Sequence, residues 1–335
     1  MLKKAALLAS LTATIAAAPA CAADFAGKTI EILIGFGPGG GHDAYARAFA
    51  QFYGKNLPGN PTVVARNMPG AGSLLVLNHI NSVAPNNGLT IGTFDPQLII
   101  APLLGDPNAR YEATKLNWLG SIVDATNVCI TWTQSGVTTW ADLMSDKPVN
   151  FGATAPAAAL YQHTAILKNM FGSKVRLVAG YAGTADVRLA MERGEITGNC
   201  GDNWASLKGT AADLIAEKKI SIPVQYAIKK HPELPDVPLI LDQAKTDEDK
   251  AALKILLGAQ ATGRPYAVSP TTPADITAAL RDGFDKTMAD PDFTRFAEKM
   301  RLDLQPMKGA EVQKLIEEIY RSNASAVEKA KAVIK

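Results

Sequence analysis

Ile30-Glu31-Ile32-Leu33-Ile34-Gly35-Phe36-Gly37-Pro38-Gly39-Gly40-Gly41-His42-Asp43 runs from an apolar strand into a glycine-rich turn. The residues that follow, Ala44 to Tyr53, place Tyr45, Phe49 and Phe52/Tyr53 at helical spacing. The turn therefore feeds a helix N-terminus, where bare backbone N–H groups and the positive end of the helix dipole meet. Glycine leaves that backbone open to a ligand, because no side chain stands in the way. The local reading is an anion-binding device.

The pattern repeats outward from this stretch. Strand-like runs fall at 29–35, 61–65, 89–94, 118–123, 127–133, 149–152, 175–179, 195–200, 220–228 and 264–268. Helical patterns fill 43–53, 73–83, 139–145, 157–171, 184–193, 272–289 and 309–334. Alternation of this kind predicts an α/β fold with mainly parallel sheets flanked by helices, and binding at the carboxyl ends of the strands. Three further small-residue loops lead from strand to helix. They are Asn67-Met68-Pro69-Gly70-Ala71-Gly72-Ser73, Phe151-Gly152-Ala153-Thr154-Ala155-Pro156 and Gly180-Tyr181-Ala182-Gly183-Thr184. Four such loops predict two lobes presenting N–H groups to a shared cleft.

Met1 to Ala23 carries Lys3 and Lys4, an apolar run from Ala5 to Ala18, and the small-residue exit Ala20-Cys21-Ala22. This reads as a secretory signal peptide, since the run is short and alanine-rich for a membrane span. Lipidation of Cys21 is the weaker alternative, because Ala18-Pro19-Ala20 lacks the leucine usual before a lipidated cysteine. Cleavage would leave roughly 312 residues, enough for two domains. It also removes two lysines, which leaves Lys+Arg equal to the 32 Asp+Glu. Near neutrality argues against nucleic acid or an anionic membrane surface as partner. Cys129 and Cys200 then make a disulfide pair in an oxidising compartment, or two separate buried thiols. No CxxC occurs and the four histidines are scattered, so no metal site is expected.

Gly35-Phe36-Gly37-Pro38-Gly39-Gly40 also satisfies the dinucleotide fingerprint GxGxxG. That site wants an acidic residue at the end of the second strand, and Arg66 stands there instead. Arg66 suits a 2′-phosphate, which keeps an exported NADP-dependent oxidoreductase as an alternative. Pro38 removes one N–H from the loop and weakens it. No GxSxG, HExxH or P-loop lysine is present.

The chain resembles extracytoplasmic solute-binding proteins of the tripartite tricarboxylate transporter (Bug) family over essentially its whole mature length. Phe36 to Asp43 resembles the family's proline-glycine-rich loop ending in aspartate. Arg66 to Gly72 resembles its Asn-x-Pro-Gly-Ala-Gly segment, and Ala84-Pro85-Asn86-Asn87-Gly88-Leu89-Thr90 its Ala-Pro-Asp-Gly-Tyr-Thr segment. Tyr181 to Ala185 with Gly194-Glu195-Ile196, and Leu234-Pro235-Asp236-Val237-Pro238, match two more. Departures fall at Gly37, where a second proline is usual, and at His42, where a small hydroxyl residue is usual. Ala182 replaces the lysine of Tyr-Lys-Gly, and Gly263-Arg264-Pro265-Tyr266 replaces an Ala-Pro-Ala-Gly run.

The resemblance implies a periplasmic-binding-protein fold, a type II-like clamshell whose chain crosses twice between lobes. The expected bounds are 1–23 for the signal peptide, 24–124 plus 229–335 for lobe 1 and 125–228 for lobe 2. The crossings fall near Asp124 to Asn127 and near Tyr226 to Lys230. It also implies capture of a small carboxylate, aromatic and dicarboxylic ones included, and delivery to the membrane subunits of a transporter. The protein is then periplasmic, monomeric, cofactor-free and not an enzyme. A membrane sensor is an alternative recipient of the ligand.

The expected ligand contacts are Phe36, Gly37, Gly39, Gly40, Gly41, His42, Asp43, Gly72, Ser73 and Phe94 on one side. On the other they are Gly152, Ala153, Thr154, Ala155, Tyr181, Gly183, Thr184, Asp202 and Asn203. The carboxylate sits on backbone N–H groups without a buried arginine. Asp43 caps its helix or orients a water, and His42 contacts either the ligand or the local backbone. Phe36, Phe94, Tyr181 and Trp204 either pack at strand ends or permit an aromatic or apolar ligand body. Asp202-Asn203 either favours a ligand ammonium or hydroxyl or caps the segment starting at Trp204.

Overall fold

The computed structural model describes residues 23–123 and 126–335. The expected signal peptide, with Cys21, lies outside these residues but for Ala23, as do Asp124 and Ala125 of the first expected crossing. The chain forms a two-lobed α/β fold. Its first part runs β1 (Thr29–Ile34), α1 (Gly41–Tyr53), β2 (Thr62–Asn67), α2 (Leu74–Ser82), β3 (Thr90–Thr93) and β4 (Asn117–Ser121). Next come β5 (Asn127–Trp132), α3 (Trp140–Leu143), β6 (Asn150–Ala153), α4 (Ala159–Asn169), β7 (Arg176–Ala179) and α5 (Thr184–Glu192). They are followed by β8 (Gly198–Asn203), α6 (Trp204–Thr210), α7 (Ala212–Ala216) and β9 (Ile220–Tyr226). The last part is α8 (Asp247–Gly258), β10 (Pro265–Val268), α9 (Ala274–Ala289), α10 (Pro291–Lys299), β11 (Met307–Lys308), α11 (Gly309–Tyr320) and α12 (Ala324–Ile334).

Among the described residues there are two sheets. One has the order β11-β4-β10-β3-β1-β2 and the other β7-β6-β8-β5-β9. The second is built only from residues between Asn127 and Tyr226, and the first from strands on either side of that span.

The sheets are mixed, which corrects the expectation of mainly parallel ones. β1 lies parallel to β2 and β3, and β6 parallel to β7 and β8. β10 is antiparallel to β3 and β4, β11 to β4, and β5 to β8 and β9. Parallel neighbours need a crossover within their own lobe. β5 follows the first lobe's β4 and β10 follows the return of the chain from the second lobe, and both run against the strands they join.

A position between β3 and β2 explains the largely apolar β1, interrupted only by Glu31. Ile30, Ile32, Leu33 and Ile34 are fully buried, because helices cover both faces of the strand. α1 presents Tyr45, Ala46, Phe49 and Tyr53 inward, and Phe49 packs its ring against Tyr53, Tyr266, Phe284 and Phe293. That aromatic cluster fixes the angle at which α1 leaves the glycine turn. In the other sheet Cys129 of β5 stands opposite Cys200 of β8, and the two are joined by a disulfide. One helix expected over 309–334 is in fact α11 and α12. Asn323 breaks the run by capping the second helix, its Oδ1 accepting from Ala326 N–H at 2.8 Å.

Candidate functional site

The segments leaving β1, β3, β6 and β8 line one cavity of about 50 Å3 between the sheets. Antiparallel β5 and β10 contribute their starts, Asn127 and the Gly263-Arg264 pair, because those ends lie beside the ends of β8 and β3. The N-termini of α1, α4, α5 and α6 therefore point at a common space. The lobes are closed on it. Gly37 N–H donates to the Ala182 carbonyl at 3.3 Å, and Ala159 N–H at the start of α4 donates to Asp95 Oδ2 at 2.9 Å. Arg264 Nη2 donates to Ser206 Oγ.

Of the expected contacts, Phe36, Gly40, Gly41, His42, Thr154, Thr184, Asp202 and Asn203 line this cavity together. Gly41 has to be glycine. A Cβ there would run into Ser206 and the Arg264 guanidinium. Gly37 and Gly183 lie at the mouth, where the first loop meets Ala182. Gly72, at φ 64°, packs against Ala155 and Ala158 of the facing lobe, so neither Gly72 nor Ala155 lines the space. Ser73 stands behind it and accepts from Asp95 N–H at 2.8 Å.

Asp43 braces the loop. Its carboxylate accepts from Gly39 N–H at 3.0 Å, Arg47 Nε at 2.8 Å and Asn67 Nδ2 at 2.8 Å. Phe94, just past β3, is fully buried in the core with its ring against Trp118. Gly152 and Ala153 are also core positions; Gly152 packs on Val187, Ile196 and Tyr181. Tyr181 is tied to the Ala153 carbonyl through its N–H at 3.2 Å and does not line the space.

Asp202 and Arg188 form a buried ion pair at 3.0 Å. Burial pushes the Asp202 carboxyl up, and Arg188 opposes the shift. Asn203 caps α6, its Oδ1 accepting from Ser206 N–H and Oγ at 3.0 Å. His42 stacks beside Phe36 with ring centroids 4.8 Å apart. Burial and then Arg264 hold its pKa well below the ordinary value, so it is a neutral imidazole. Trp204 turns its indole N–H outward to Glu233 at 2.6 Å. Arg66, the residue a 2′-phosphate would need, is half exposed and paired with Glu31 Oε1 at 2.5 Å, away from the glycine turn.

Two charged lining residues were not among the expected contacts, Asp95 and Arg264. Asp95 is buried and its pKa is pushed up to about 6, by burial first. Its two N–H donors, Ala159 and Gln97, and the charge of Arg264 pull the other way without winning. Arg264 is 4% exposed and lies over the Tyr45 ring, its guanidinium carbon 4.9 Å from the centroid. Its Nε has no partner among the described residues, and the same holds for His42 Nδ1 and Thr154 Oγ1. The departure of Gly263-Arg264 from the family run was the one signal in the sequence that marked it. Beneath the cavity, His163 of α4 has its Nε2 2.7 Å from Gln260 Nε2 and 3.3 Å from Gln97 Nε2. Burial drives His163 down to about 3.

The chain is similar in structure to the periplasmic binding protein BugD, at 19% identity and TM-score 0.73, over 92% of this chain and 98% of that one. It is similar to MatC from Rhodopseudomonas palustris with bound malate, at 17% identity and TM-score 0.70, over 92% and 99%. R. palustris Rpa4515 with adipate gives 18% identity and TM-score 0.70, over 92% and 98%. At such identities the likeness establishes the fold. No protein-family model and no curated sequence matches the chain.

Proposed function

We propose that this chain is a solute-binding protein of the tripartite tricarboxylate transporter (Bug) type, which captures a small carboxylate between its lobes for a membrane permease. One observation carries the reading: helix N-termini from both lobes, with three buried polar atoms that have no partner among the described residues, surround one interlobe cavity. Helix N-termini favour anions, and each well-aligned hydrogen bond to a charged group contributes about 1.5–3 kcal/mol. The fold shared with BugD and with the malate and adipate complexes supports the same class. The lobes are taken as 24–124 plus 229–335 and 125–228, and the protein as a periplasmic monomer exported by its N-terminal segment. Neither cofactor nor turnover is needed for such a role. The first loop faces Ala182 and Thr184 of the opposite lobe, which leaves a dinucleotide little support.

The test is a thermal melt against a carboxylate library followed by mass spectrometry of the mixture. A hit should stabilise by RT ln(1 + [L]/Kd) and come back unchanged. Conversion of the hit to a product would defeat the reading, and so would a library with no hit at millimolar concentration.

A further inference from the structure

We propose that Arg264 is the carboxylate anchor of this cleft, and that the cleft selects compact monocarboxylates bearing a hydroxyl or oxo group. The inference rests on the solute-binding reading and specifies its ligand. Three observations about Arg264 converge. It is 4% exposed, it has no carboxylate within ion-pair distance among the described residues, and its Nε has no partner. Its Nη2 packs over Gly41, at the first position of the 13-residue α1. A buried cation and the positive end of a helix dipole thus share one spot, and each raises the cost of the other unless an anion joins them. The Tyr45 face and the Ser206 hydroxyl, which also contact the guanidinium, are neutral. Asp95 and Asp202 act on it from beyond ion-pair distance, so a ligand carboxylate is the group that would meet the charge directly.

The rest of the lining sets the ligand's other end. Asp202 is consumed by Arg188, at 3.0 Å. Asp95 is bound to the N–H groups of Gln97 and Ala159, both at 2.9 Å. Each oxygen of both carboxylates thus already accepts a hydrogen bond, which disfavours a ligand ammonium and so an α-amino acid. Arg188 is equally unavailable to a second carboxylate, since it holds Asp202 and the Thr210 hydroxyl. Among the remaining polar groups, His42 Nδ1 and Thr154 Oγ1 are neutral and without a partner among the described residues, and with the Asn127 and Thr184 side chains they suit a hydroxyl or oxo oxygen. The narrow cavity of about 50 Å3 keeps the whole molecule short.

The experiment is isothermal titration calorimetry with a four-carbon set: 2-hydroxybutyrate, 2-oxobutyrate, succinate and 2-aminobutyrate. The hydroxy or oxo acid should bind wild-type protein at least tenfold tighter than succinate or 2-aminobutyrate. Arg264→Gln should weaken the best ligand at least tenfold, and Arg264→Lys should recover part of the loss, with unchanged circular dichroism. Succinate or 2-aminobutyrate as the tightest ligand overturns the assignment from wild-type protein alone. So does an Arg264→Gln variant that binds within twofold of wild type. In both cases a carboxylate still binds and the solute-binding reading stands; wild-type protein that binds no carboxylate from the broad library ends both.

Discussion

Asp95 gives a prediction whose sign and size follow from the cavity. Its carboxyl is buried, and its pKa is raised from the ordinary 3.8 to about 6. Each unit is worth about 1.4 kcal/mol, so the shift corresponds to about 3 kcal/mol of stability. Because the folded-state pKa is raised, that contribution is fully present below the unfolded value near 3.8. It is lost as pH rises through about 6. His163 works against it, since a histidine lowered to about 3 stabilises the fold above its unfolded pKa and loses that as pH falls. His42 has the same sign. A single pH profile therefore mixes opposing groups, and a variant is needed to separate them. Asp95→Asn keeps the shape and removes the titration. Urea unfolding of wild type and Asp95→Asn should be measured in steps across that window. Wild type should gain about 3 kcal/mol on the variant as pH falls from about 7 to below 4. A flat difference, or one of opposite slope, would show that Arg264 and the Gln97 and Ala159 N–H groups outweigh burial, and the electrostatic account of the cleft would be wrong.

Three further outcomes are expected. Gly41→Ala places a methyl group against Ser206 and Arg264, so it should hold the lobes apart and weaken the best carboxylate at least tenfold (about 1.4 kcal/mol) by calorimetry; undiminished affinity would mean that α1 does not face the ligand. Arg66→Ala should leave affinity within twofold and change stability by no more than ~1 kcal/mol in a urea titration, because its partner Glu31 is a surface group. Cys129→Ala with Cys200→Ala should cost up to ~4 kcal/mol of stability, given their sequence separation of 71, and denatured unreduced wild type should yield no titratable thiol; two thiols would exclude the bridge.

What the sequence made legible was local. The apolar run of β1, the glycine turn and the Tyr45-Phe49-Tyr53 spacing sit next to one another, and each constrains the next. Asn203 before Trp204 was readable as a cap for the same reason. Strand direction was not readable, because the apolar pattern of β5 or β10 is the same whichever way its neighbour runs. Partnership over distance was not readable either. Asp202 looked available to a ligand until α5 brought Arg188 to it. Arg66 looked like a phosphate ligand until β2 proved an edge strand, exposed on alternate residues, with Glu31 of β1 beside it. α8 was overlooked although Thr246 caps it and three acidic residues fill its first turn. Arg264 lies more than two hundred residues from α1, and nothing near it in the chain indicates that Gly41 will be its neighbour.

The bonds that close the cleft also bear on how it loads. Arg264 already donates to the Ser206 hydroxyl, so an incoming carboxylate exchanges a bond charged at one end for one charged at both. Hydrogen bonds to a charged group contribute about 1.5–3 kcal/mol, and both bonds fall in that class, so the exchange alone gains at most about one or two kcal/mol. Micromolar binding needs about 8 kcal/mol, and the remainder must come from N–H groups of both lobes acting at once. Those groups converge only when the lobes are closed. Here Asp95 holds the N-terminus of α4, and Gly37 holds Ala182, through bonds internal to the protein. Such bonds raise the population of the closed form and so lower the cost of reaching it with ligand aboard. They also oppose the opening through which ligand must enter. On this account Asp95→Asn should speed association more than it weakens affinity, since it loosens a bond that the loaded cleft does not depend on. Stopped-flow binding of the best carboxylate would decide it: an unchanged association rate with a faster release would place Asp95 among the ligand's own contacts and not in the latch.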